Sequence, residues 1–222
     1  AASSGLIGFH ADAAATSSAV TLRISGGFAG LGSPDPHARD FVATPTILTG
    51  DVGGNDAPGF ANRADNASTV LHIGRSAPGR APVWISGLHI RGAEDSGVIF
   101  RSGGRISDCI IEDNRTPNQG GGVRVDSAGL VTIEDCSISE NTADLGGGIF
   151  YFISSTHPFD TSTPLIRRCR IAANSANSAA VIHALRAARI ESCLIVADTA
   201  AYDAGAVMIS STTLANCTIA AN

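Results

Sequence analysis

The chain has 222 residues and a net charge of −5, from 15 basic and 20 acidic side chains, so it lacks the basic balance that a nucleic-acid face requires. Hydrophobic residues make up 44% of it and aromatic ones 5%, which suits a narrow aliphatic core. No stretch approaches the roughly 18 consecutive apolar residues of a membrane span, and lysine is absent, which removes lysine-based catalysis.

Ala1 opens without the charged, apolar and cleavage regions of a signal peptide, and any export signal is expected to have been removed or to lie outside these residues. Residues 20–24, 68–73 and 83–90 read as strands. Between the first two lies a loop at about 28–67, rich in Gly, Pro, Asp and Asn and interrupted by the apolar run at 46–48. Within it, Asp51, Asn55 and Asp56 place three hard oxygen side chains around a glycine pair, the one candidate site for Ca²⁺. A plain Asx/Gly turn competes with that reading, because Ca²⁺ takes 6–8 oxygens and the spacing is not that of an EF-hand. No organic cofactor is expected.

From residue 93 onward the chain repeats. Ile106/Cys109/Ile111/Asn114 returns as Ile133/Cys136/Ile138/Asn141, Ile166/Cys169/Ile171/Asn174, Ile190/Cys193/Ile195/Asp198 and Leu214/Cys217/Ile219/Asn222. The cysteines step by 27, 33, 24 and 24 residues, and periods of roughly 20–50 residues mark stacked units. Within one period the apolar residues alternate in short runs separated by turn formers, so each unit is a coil of strands rather than of helices. One strand is Cys-x-Ile; another follows a glycine run, as at Gly120–Val123 and Gly146–Ile149. Equivalent strands in successive coils must be parallel. The fold class is all-β, a parallel β-helix, expected to be right-handed because parallel crossovers take that hand.

The repeated letters then acquire roles. Cys109, Cys136, Cys169, Cys193 and Cys217 point inward with the isoleucines as apolar ladders, and the glycines allow positive φ at a corner. Asn114, Asn141, Asn174 and Asn222 form an amide ladder at a turn. Asp198 interrupts it, since an ionised carboxylate has no donor, and its coil is expected to be the less regular one. The five cysteines share one inward position and read as structural thiols, with no Cys-x-x-Cys pair and no histidine at ligand spacing.

The pairing of Ile-x-x-Asn with Gly-Gly-Gly-[Val/Ile] resembles the F-x-x-N and G-G-A-[I/L/V] repeats of polymorphic outer-membrane proteins, with Ile111, Ile138, Ile171, Ile195 and Ile219 in place of the phenylalanine. Upstream, Ser25-Gly-Gly-Phe28-Ala-Gly30, Arg39-Asp40 and the run from Pro45 to Asp51 are similar to the opening of large secreted bacterial β-helix proteins of the pectate-lyase-like superfamily. The resemblance covers about 20–222 and implies an extracellular or cell-surface bacterial protein. It does not imply one activity, because that superfamily includes lyases, hydrolases, adhesins and passenger domains.

Asp108, Asp113, Asp126, Glu134 and Asp135 lie near the repeat turns, where Arg167 and Arg168 of the next coil are placed to neutralise them. No copy gathers a catalytic constellation on an outward face, so no catalytic residue is assigned. The expected role is a non-catalytic structural or adhesive module that binds a glycan or a protein; the alternative is a polysaccharide lyase or glycoside hydrolase of the pectate-lyase type. If Val98, Val123, Ile149, Val181 and Val207 face inward, then Ile99, Arg124, Phe150, Ile182 and Met208 form an outward stripe, a candidate binding face. The competing reading has the insertion at 154–164, with His157, Phe159 and Asp160, folding over it. The chain is expected to be one domain, with less regular coils at 1–92 and regular ones at 93–222. Its last copy lacks the glycine corner and second strand, so more chain or a capping subunit is expected at that end.

Overall fold

The computed structural model describes residues 21–74, 82–127, 129–152, 164–178, 180–184, 188–202, 205–210 and 212–222. Its strands, all paired in parallel, wind through three long sheets in turn. The first sheet holds Arg23–Ser25, Val83–Ser86, Gly104–Ser107, Val131–Glu134, Leu165–Arg167, Arg189–Glu191 and Thr213–Ala215. The second holds Thr46–Thr49, Leu88–Arg91, Ile110–Glu112, Ser137–Ser139, Arg170–Ala172, Leu194–Val196 and Thr218–Ala220. The third holds Leu71–Ile73, Val98–Phe100, Val123–Asp126, Ile149–Phe152, Ile182–Ala184 and Val207–Ile209. Short strands Thr142–Ala143, Ser175–Ala176 and Thr199–Ala200 stack between the second and third sheets. This is the parallel β-helix that the repeat predicts.

Stacking in register puts like on like. Ile85, Ile106, Ile133, Ile166 and Ile190 make one inward column, and Ile90, Ile111, Ile138, Ile171 and Ile195 another. These side chains are buried, as are Cys109, Cys136, Cys169 and Cys193, and each fully buried Ile contributes about 1.5–3 kcal/mol of transfer free energy. All five cysteines are free thiols. They stand at the corner between the first and second sheets rather than inside a strand, each sulfur directed at the carbonyl two residues before it, as in Cys136 Sγ to Glu134 O at 3.1 Å.

That corner is tight because one residue per coil adopts the left-handed conformation: Asp108, Asp135, Arg168, Ser192 and Asn216, with φ of 51–54°. A second set, Asp113, Glu140, Ala173, Ala197 and Ala221 (φ 54–56°), precedes the amide ladder. In the coil before these, Gly87 and Gly92 hold the two places, and Gly87 breaks the expected 83–90 strand in two. Sequence reading assigned positive φ to the glycine run; it occurs there at Gly120 and Gly146, while the recurring corners are built mostly from other residues.

Three further expectations need correction. Cys217, expected as the fifth buried thiol of its ladder, is only half-buried, unlike the other four. Its sulfur keeps the ladder geometry, facing Ala215 O at 3.3 Å and Ile190 O at 3.5 Å. Among the described residues, however, its coil is covered from one side alone, by the strands Arg189–Glu191 and Leu194–Val196. Leu214, Ile219 and Asn222 of that coil are exposed for the same reason, although Asn222 still makes its ladder bonds to Asp198 N and Ile195 O.

The coil around Asp198 is as regular as its neighbours: Leu194, Ile195 and Val196 pair in register on both sides. In the N-terminal third, Arg23–Ser25 and Thr46–Thr49 already pair with the first and second sheets, so its irregularity lies in the segments between strands. Ile182 pairs with Ile149 and Val207 and faces the core, fully buried. The outward place belongs to His183, paired with Phe150 and Met208.

Candidate functional site

The outward column of the third sheet runs His72, Ile99, Arg124, Phe150, His183, Met208. It is not a continuous exposed apolar stripe. Ile99 and Phe150 are only 5% and 2% exposed, against 39% for Met208. Phe150 meets the His183 ring edge-on at 5.5 Å. Residues 154–163 of the insertion proposed to cover this column lie outside the described residues.

Arg124 does reach an open surface. It lines a cleft of about 270 Å³ together with Pro117, Asn118, Gln119, Asp144 and Leu145. Gly120 and Gly146, at positive φ, directly follow the lining residues Gln119 and Leu145, and a Cβ on Gly120 would stand 2.7 Å from that of Arg124. The rim is braced by backbone bonds: Asp144 N and Leu145 N donate to Asn118 O at 2.9 and 3.1 Å, and Gly120 N donates to Leu145 O at 2.9 Å. Thr116 Oγ1 accepts from Asn118 N at 3.1 Å and donates to Asp95 at 2.8 Å. Asp144 is fixed through Oδ1, which accepts from Ser178 Oγ at 2.5 Å and Asn177 Nδ2 at 3.2 Å. Arg124 Nε donates to Asp126 at 2.7 Å. Its two terminal nitrogens and Asp144 Oδ2 hold no hydrogen bond among the described residues, and offer donors and an acceptor to a polar ligand.

Asp51 and Asp56 each have hydrogen-bond partners within this segment. Asp51 accepts from the backbone amides of Asn55 and Asp56 at 3.1 and 3.3 Å, as in an Asx turn. Asp56 faces Asn66 Nδ2 at 2.8 Å and Arg63 Nε at 3.6 Å. Among the described residues no group of three His, Cys, Asp or Glu side chains is placed to hold a metal ion. Arg63 supplies a positive charge there instead, and sequence reading missed it. Its guanidinium, buried, ion-pairs with Asp113 at 2.5 Å and Glu94 at 3.7 Å, donates to Asp113 O at 2.9 Å, and lies 4.7 Å over the Phe60 ring. Burial pushes the Asp113 carboxyl above its ordinary value despite Arg63, helped by the like charges of Asp56 and Glu112.

The carboxylates near the repeat turns are largely committed to arginines. Glu134, fully buried, is held by Arg105, by Arg167 Nε at 2.6 Å and by Arg168 at 3.3 Å. Arg168 also grips Asp135 with two bonds, at 2.7 and 2.6 Å, and this contact holds the Asp135 carboxyl below its ordinary range. The neutralising role expected of Arg167 and Arg168 is what the geometry shows; Arg105 is the partner that the repeat did not single out.

A family model described as the right-handed beta helix region matches residues 70–222. The chain belongs to the right-handed β-helix family. This fixes the hand of the coils and accounts for the three sheets. Arg23–Ser25 and Thr46–Thr49, which precede the matched residues, extend the right-handed β-helix by pairing onto its first matched coil. Comparison with curated proteins and with solved structures finds no match. Family membership gives the scaffold, and function has to be argued from the cleft.

Proposed function

We propose that this right-handed β-helix is a non-catalytic, adhesive module of a secreted or cell-surface bacterial protein, and that the cleft beside Arg124 binds a glycan. The observation that carries the reading is a rigid polar cleft with uncommitted groups: the terminal nitrogens of Arg124, Asp144 Oδ2, and the amide side chains of Asn118 and Gln119. Planar polar side chains fixed on a stiff backbone suit the hydroxyl groups of a sugar, because little freedom is lost when they bond. The volume of about 270 Å³ falls just below the roughly 300–1,000 Å³ range of ligand sites, so one sugar unit is the natural occupant. The grip of Arg168 on Asp135 supports a binding role over acid–base chemistry on the first sheet, since a carboxyl held below its ordinary range by a guanidinium is a poor proton carrier.

The test is calorimetric titration with a panel of oligosaccharides, against the wild type and Arg124→Ala. Binding that weakens about tenfold or more in the variant supports the reading. No binding by any member, or binding that ignores Arg124, removes it. Reducing-end and unsaturated-product assays on the same panel, with and without Ca²⁺, address the alternative: turnover would make the protein a polysaccharide lyase or hydrolase.

A further inference from the structure

Of the five rungs in the amide ladder, Asp198 alone is an acid. In the other rungs the side chain divides its work. Oδ1 accepts a backbone N–H from the preceding coil: Ala93 to Asn114 at 3.0 Å, Asn114 to Asn141 at 3.1 Å, Asn141 to Asn174 at 3.1 Å and Asp198 to Asn222 at 2.9 Å. Nδ2 donates to an isoleucine carbonyl of that same coil: Ile90 at 3.3 Å, Ile111 at 2.9 Å, Ile138 at 3.0 Å and Ile195 at 3.2 Å.

Asp198 keeps the accepting half, with Asn174 N and Nδ2 reaching its Oδ1 at 2.8 and 3.1 Å. Its Oδ2 takes the place of the donor. That oxygen is buried and has no hydrogen-bond partner, and the isoleucine carbonyl that the repeat sets opposite it is that of Ile171, another acceptor. Two acceptors facing each other away from water repel, and of the two only the carboxyl can take up a proton and become a donor.

We propose that Asp198 stands as the neutral acid in the folded chain, donating Oδ2–H to the Ile171 carbonyl, and that its ionisation is a proton-controlled release of the C-terminal coils. Burial raises the affinity of this carboxyl for its proton, against the bonds from Asn174 and the charge of Arg170, which lies exposed on the second sheet. Asn174 and Asn222, its neighbours in the ladder, do not titrate. Because the folded state holds the proton more tightly than the unfolded one, this stabilisation is complete below the unfolded value of 3.8 and is lost as pH rises through the higher folded value.

The experiment is carboxyl ¹³C NMR on aspartate-labelled protein, with Asp198→Asn and Asp198→Ser to assign the resonance, alongside melting temperatures across pH. The expected midpoint for Asp198 lies above the ordinary aspartate range. Asp198→Asn is expected to melt above the wild type near about pH 8 and to converge with it near about pH 4, since amide and neutral acid fill the same rung. Amide exchange across 189–200 and 213–222 is expected to accelerate with pH beyond its intrinsic slope, which tests the release even if neither variant folds. A midpoint at or below the ordinary range, or exchange that follows the intrinsic slope, overturns the proposal.

Discussion

At the scale of single residues, the consequences turn on which partner of an ion pair is buried. Glu134 is fully buried, while Arg105, Arg167 and Arg168 keep 44%, 37% and 46% of their side chains exposed. Removing the acid frees three guanidiniums that water can reach; removing an arginine leaves a buried carboxylate short of donors. We therefore expect Arg167→Ala to destabilise by about 3 kcal/mol, the low end for breaking a buried pair, and Glu134→Gln by less, as read from denaturant midpoints. Asp135 carries the pH dependence of this cluster. Its folded value lies below the unfolded 3.8, so its contribution is present above that pH and disappears as pH falls through the lower folded value. In Arg168→Ala the acid limb of the stability curve is expected to flatten, and the Asp135 carboxyl resonance to titrate nearer 3.8. The part of Arg167 and Arg168 was legible from the repeat, but those of Arg105 and Arg63 were not. Arg63 shows why: its partners Asp56, Glu94 and Asp113 are joined only after the coils stack, so no local pattern announces it.

At the scale of elements, the corners decide. Ala173 and Ala197 sit at φ of 56° and 55°, a conformation that costs a residue with a Cβ roughly 1–2 kcal/mol. Replacing alanine by glycine ordinarily weakens a fold; here Ala173→Gly and Ala197→Gly are expected to be neutral or stabilising by up to about 1 kcal/mol, measured as a rise in melting temperature. The glycine run behaves in the opposite way. A Cβ on Gly147 would stand 2.1 Å from Ser175 O, whereas on Gly148 its nearest neighbour would be a Val181 methyl at 3.2 Å. Gly147→Ala is thus expected to lose about 1–3 kcal/mol or more, as overpacking does, and Gly148→Ala distinctly less. These corners also explain what was readable beforehand. Cys109, Ile111 and Asn114 recur at fixed spacing because they occupy equivalent places, so strand order and both ladders followed from letters alone. How deeply a rung is buried did not follow: Cys217 carries the same letter as Cys193, but burial depends on the coils to either side. Ile182 was misplaced because Ala180 and Val181 stand where earlier coils carry Gly147 and Gly148. Without the glycine mark, the inward position was assigned one residue too early. The cleft was legible only through Arg124, since Asn118 and Asp144 belong to turns whose shape depends on the coil beneath them.

At the scale of the whole molecule, each coil contacts its neighbours and little else, so stability is a sum of junctions. Asn141 joins two of them. On one side it donates to Ile111 O at 2.9 Å and accepts from Asn114 N and Nδ2 at 3.1 and 2.9 Å, and on the other its N and Nδ2 donate to Asn174 Oδ1 at 3.1 and 3.0 Å. Asn141→Ala would strand buried donors and acceptors at about 1–3 kcal/mol for each unsatisfied group. Hydrogen exchange is expected to show the loss in the coils around residues 104–152, with protection of 83–91 changed far less; a uniform loss along the chain would mean that the coils unfold as one unit.

The parallel pairing has a mechanical side as well. With strands lying across the long axis, the hydrogen bonds between coils run along it. A pull on the two ends of the rod therefore stretches those bonds lengthwise, and the ladders of the three sheets share the force side by side, joined from Ala93 onward by the amide column. A sideways push meets the interlocked isoleucine columns instead. The molecule is a rod whose resistance to tension is set by its weakest single junction rather than by its length, and adding coils would lengthen its reach without weakening its grip.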